Sequence, residues 1–73
     1  MTENEIHILK TKIDNGTVRI SFFDGEETIA KILSVSEPEK DIIFDVVSTN
    51  RNDKYKGKTG AHLVRFDEVS AVS

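Results

Sequence analysis

Residues 54–60 read KYKGKTG, and a Gly-Lys-Thr triplet is how a phosphate-gripping loop ends. Such a loop needs a first glycine, about four intervening residues, then Gly-Lys-Ser/Thr. It also needs a buried strand before it and a helix after it, whose N-terminal N–H groups meet the phosphate. Counting back from Gly57, the first glycine falls on Asn52, and the following residues GAHLVRF have strand character. Nucleotide hydrolysis fits neither the spacing nor the context.

The segment has a second property. Arg51, Lys54, Lys56 and Lys58 face only Asp53 within residues 51–58, a net charge of +3, whereas the rest of the chain carries −6. A basic tongue on an acidic body can meet phosphates or an acidic partner, and Tyr55 offers a face for stacking. The plain alternative is a solvated loop kept soluble by its lysines. The net charge of −3 and pI near 5.3 argue against broad, unspecific nucleic-acid binding.

Other chemistry finds little support. The chain has two histidines, His7 and His62, and no cysteine, which excludes disulfides and thiolate metal sites. His62 alternates with Val64 and Phe66 and reads as a partly buried strand residue. The acids of SEPEKD (36–41) lack the spacing of a calcium loop, and Glu26-Glu27 and Asp67-Glu68 fall in predicted turns, where acid pairs are commonplace. No serine sits on a strained Gly-flanked turn, so a nucleophilic enzyme is not expected, nor is a cofactor.

Seventy-three residues make a single domain, 1–73, and a chain of that size hides only roughly 60–65% of its unfolded surface. Ile and Val total 15 against 3 Leu, a Cβ-branched bias that suits pleated strands. Strands are predicted over 17–23, 28–36, 42–49, 61–66 and 69–73. Asp24-Gly25 makes a tight hairpin, because Gly tolerates positive φ. In 28–36, Ile29, Leu33 and Val35 oppose Ala30 and Ile32, the pattern of a strand that bends and covers the core with each face in turn. Residues 50–60 form a loop longer than usual. The first fifteen residues read as helix or strand; Thr2 and Glu5 in capping-box spacing tip the choice to a short helix. The N-terminus lacks the pattern of a signal peptide and no apolar run suits a membrane helix, so a soluble, cytoplasmic protein is expected.

This order of elements resembles the Sm-like superfamily of small RNA-associated barrels. TVRISFF, Asp24-Gly25 and TIAKILSVS stand for its first motif, and VRFDEVSAV (64–72) follows its second at Val64, Arg65, Val69 and Val72. The resemblance implies a strongly bent five-stranded barrel of SH3-like/Sm-like type, non-enzymatic, whose fourth and fifth strands pair between copies into a homo-oligomeric ring, with RNA as partner. The Asp-to-Asn signature of the second-to-third-strand turn is missing, and Phe66 replaces the signature glycine beside the RNA base. Only Arg65 carries over as an RNA contact; Arg51, Lys54, Tyr55, Lys56 and Lys58 are added by the loop's own composition. The other class of function open to the chain is an SH3-like protein-interaction or structural adaptor that binds no nucleic acid.

Overall fold

The computed structural model of the chain describes residues 1–55 and 60–73. Helix α1 (Glu3–Thr11) opens the chain. Its capping box is formed: Glu5 N–H donates to Thr2 Oγ1 at 3.1 Å and Thr2 N–H to Glu5 Oε1 at 2.9 Å. Five strands follow, β1 (Val18–Phe22), β2 (Glu27–Ser36), β3 (Asp41–Thr49), β4 (His62–Arg65) and β5 (Val69–Val72). A single helical turn, α2 (Asn52–Tyr55), lies in the β3–β4 connection, which the sequence presented as loop. Phe66 leaves the strand predicted over 61–66 and begins a 3₁₀ turn, Phe66–Glu68.

The strands form one antiparallel sheet in the order β4-β3-β2-β1-β5. Its two end strands are consecutive in the chain and joined by only the three residues Phe66–Glu68. A 3₁₀ turn of that length spans roughly 6 Å, so the sheet must curl until its ends nearly meet. β2 supplies the bend. Its register against β3 slips between Ile29 and Ala30 and again between Ile32 and Ser34. Thr28, Ala30 and Ile32 are buried before the second slip, Leu33 is exposed, and Val35 packs on the core after it. A bulge that adds one residue to a strand changes which side chains face inward, and this accounts for the two-faced pattern of 28–36.

One cluster fills the barrel: Val18, Ile20 and Phe22 from β1, Ala30 and Ile32 from β2, Ile42 and Phe44 from β3, Val64, Val69 and Val72 from the ends, and Leu9 from α1. The β1–β2 turn is the tight hairpin expected. Gly25 has φ +93° and donates to Phe22 O at 3.1 Å, while Asp24 Oδ1 accepts the Glu26 N–H at 3.0 Å.

Leu9 is the one fully buried residue of α1, and α1 packs on β2 and β5. Leu9→Ala removes that anchor and should cost about 2–5 kcal/mol, comparable to the whole margin of a domain this small. Urea unfolding followed by circular dichroism should show a large fall in the midpoint.

Candidate nucleic-acid interface

Glu26, a turn acid by sequence, has no solvent exposure. It stands where the β1–β2 turn enters β2 and aims its carboxylate under α2. Oε1 accepts from Lys54 Nζ at 2.7 Å, and Oε2 accepts from the Tyr55 hydroxyl at 2.6 Å and from Thr28 Oγ1. Thr28 Oγ1 also lies 3.0 Å from Thr49 Oγ1. A buried carboxylate is tolerable only when its lone pairs are taken and its charge is matched. Here three donors, one of them cationic, meet both requirements.

The carboxylate fastens the start of the β3–β4 connection to the β1–β2 turn. Asn50 adds to the attachment: its Oδ1 accepts the Glu27 N–H at 2.8 Å and its Nδ2 donates to Gly25 O at 3.2 Å. Lys54 Nζ lies 4.9 Å from the centre of the Phe22 ring, and the Tyr55 ring meets His62 edge-on at 4.8 Å. His62 is half-buried between Tyr55 and Phe44, as its place in the alternation implied.

The basic residues singled out by sequence are thereby divided. Arg51 pairs with Asp24 at 3.7 Å and Asp53 at 3.4 Å, and Lys54 with Glu26 and, more distantly, Asp24 at 3.9 Å. Tyr55 spends its hydroxyl on Glu26. Lys56 and Lys58 lie outside the described residues. Arg65 sits apart from Lys54 and Tyr55, in a cleft of about 430 Å³ that it lines with Lys40, Phe66, Met1, Ile6 and the acids Glu3, Glu37 and Asp67.

Backbone bonds build that cleft. Phe66 N–H donates to Lys40 O at 2.8 Å, joining the β4–β5 turn to the β2–β3 turn, and Glu68 Oε2 accepts the Arg65 N–H at 2.8 Å. Lys40 takes φ +57°, an uncommon left-handed conformation for a side chain of its size. The Phe66 ring packs against the core, so the residue in place of the signature glycine is turned inward. Arg65, on the exposed face of β4, and Lys40 supply the cations of the cleft. Lys40 and Asn50 carried no sequence signal beyond their polarity. Glu26 was hidden because a turn acid and a buried acid look alike until the partner loop is placed.

The architecture matches that of a solved structure, the SmAP (LSm) protein from Methanococcus vannielii, with a TM-score of 0.69 over 99% of this chain and 96% of that one, at 18% identity. The chain has an Sm-like fold. No protein-family model matches it, and no curated protein does. The Sm-like barrel with its N-terminal helix is thus as the sequence implied. No helix among the described residues is long and apolar enough to cross a membrane.

The ionisation of the Glu26 cluster gives a testable pH dependence. Burial pushes the Glu26 carboxyl up, but the bonds from Lys54, Thr28 and Tyr55 outweigh it and hold the group below its ordinary value of 4.5. Burial, then the Glu26 bond and charge, push the Tyr55 phenol above its ordinary 10.0. Below pH 4.5 the unfolded chain takes up a proton at residue 26 before the folded one does, so Glu26's contribution is full above 4.5 and falls as pH drops. Above pH 10.0 the unfolded Tyr55 loses its proton first, so its contribution falls as pH rises. Glu26→Gln should lower stability at neutral pH by about 1.5–3 kcal/mol and flatten the acid limb. Tyr55→Phe should flatten the alkaline limb. Urea midpoints across pH check both.

Proposed function

We propose that the protein is a non-enzymatic Sm-like module of the cytoplasm that assembles with copies of itself into a closed ring and binds single-stranded RNA. The observation that carries the proposal is the pair of sheet ends. β4 and β5 are short, lie at the two ends of the strand order, and among the described residues have no partner strand on their outer sides. Such edges favour strand pairing with another chain, and one edge at each end makes the contact head-to-tail, which closes into a ring when the rotation between copies allows it. Leu63, well exposed on β4, adds apolar surface at that edge.

For RNA, Arg65 and Lys40 are the cations we assign to phosphate, with Lys56 and Lys58 of the basic loop. Arg51, Lys54 and Tyr55 are a second proposed contact region, apart from the Arg65 cleft, with Lys54 and Tyr55 held in place by Glu26. One observation favours the alternative, an adaptor that binds protein and no nucleic acid: Asp24 and Glu26 neutralise the root of the basic loop.

Light scattering with absorbance at 260 and 280 nm separates the two readings. A particle several times the chain mass of 8.2 kDa supports the ring, and co-purified nucleic acid supports RNA. A clean monomer without nucleic acid favours the adaptor. If phosphate contacts carry the affinity for a single-stranded oligonucleotide, log K should fall with log salt by about 0.7 per phosphate neutralised. Arg65→Glu should then weaken binding about tenfold and reduce that slope, while Lys56→Glu with Lys58→Glu reports on the loop with Lys54 and Tyr55 left intact. Unchanged binding in Arg65→Glu would remove the cleft from the interface.

A further inference from the structure

Helix α1 reaches the open edge of β5 through one side chain, Glu5. Arg19 and Ser73 exchange both backbone hydrogen bonds, at 2.8 and 2.9 Å, so Ser73 faces β1. Val72, one residue earlier, therefore turns its N–H away from the sheet. That outward N–H donates to Glu5 Oε2 at 3.0 Å. The carboxylate thus occupies an outward donor of β5 that an added strand would use.

Glu5 is held there from the other side as well. Its Oε1 accepts the Thr2 N–H at 2.9 Å, and Thr2 Oγ1 lies 3.1 Å from the same oxygen. One carboxylate thus closes the helix cap with one oxygen and covers the sheet edge with the other. The Thr2 bond first, and the Val72 bond after the opposing effect of burial, keep the Glu5 carboxyl below its ordinary value of 4.5. It is ionised at neutral pH and accepts at both oxygens.

We propose that Glu5 is a brake on strand addition at β5: α1 covers this edge in the free chain, and a second copy pairs with it only when the Glu5–Val72 bond is given up. The proposal rests on assembly through β5 and adds its regulation. An edge blunted by a charged group is protected from indiscriminate pairing, and a partner's backbone carbonyl must compete with a charge-assisted bond.

Two substitutions in the full chain test it, with association followed by light scattering over a concentration series and folding by circular dichroism. Glu5→Gln keeps one acceptor for the Thr2 N–H but leaves no second carboxylate oxygen for Val72. Thr2→Ala loosens the cap and leaves the Val72 bond in place. The expected result is that Glu5→Gln assembles at a concentration about fivefold or more below wild type, the equivalent of one hydrogen bond of about 1 kcal/mol, and that Thr2→Ala does not. If wild type assembles and Glu5→Gln does so no more readily, the brake is overturned and the ring stands. Equal shifts in both variants would assign the effect to helix fraying and also overturn it. If neither wild type nor Glu5→Gln assembles at any concentration, both the brake and the ring fall. Should Glu5→Gln not fold, Glu5→Asp takes its place, since the shorter side chain keeps the charge but withdraws from β5.

Discussion

The three residues Phe66–Glu68 constrain the whole molecule. They join strands that stand at opposite ends of a five-strand order, and a link that short cannot cross a flat sheet. The long β2 strand must therefore bend, and its two register slips are where it does so. Once the sheet has curled, Phe66 N–H reaches Lys40 O and Phe23 N–H reaches Glu68 O, which pins the link to the β2–β3 turn on one side and to the end of β1 on the other. The geometry that brings β4 and β5 together also leaves each with an outer side unmatched by the other.

Against that frame, the Glu26 cluster solves a different problem. A polar connection between β3 and β4 contributes little to the core and has considerable freedom to lose. Burying one carboxylate beneath it gives the first part of the connection two hydrogen-bonding anchors, at Lys54 and Tyr55, while Thr28 of β2 holds the carboxylate from below. The arrangement is worth little as an ion pair alone, because desolvation offsets much of the Coulomb gain. Its effect is positional: α2 is fixed against the barrel wall at Lys54 and Tyr55.

Much of the fold was legible in the sequence. The Cβ-branched bias, Asp24-Gly25, the two-faced run 28–36 and the Thr2–Glu5 cap each correspond to a structural feature, because each depends on residues close together in the chain. What was not legible is what depends on distant partners. Glu26 and Glu27 are adjacent acids in a turn, yet Glu26 is buried and Glu27 exposed; the difference is made by Lys54 and Tyr55, almost thirty residues away. The same holds for the site. Lys54 and Tyr55 look like free recognition groups until Glu26 is placed, whereas Lys40 acquires interest only because the Phe66 backbone binds its carbonyl and brings it beside Arg65.

Three glutamates show how a small domain without disulfides holds its irregular parts. Glu5 ties α1 to the β5 edge, Glu26 ties the β3–β4 connection to the β1–β2 turn, and Glu68 closes on the Arg65 N–H to shape the turn between the end strands. Each places an acceptor where the backbone or a polar side chain would otherwise lack one, and hydrogen bonds to a charged group are worth more than neutral ones. Apolar contacts cannot do this at a sheet edge, since they leave the N–H unsatisfied. The acidity of the chain is thus in part an internal matter: these carboxylates join elements at the margins of the barrel, where hydrophobic burial runs out.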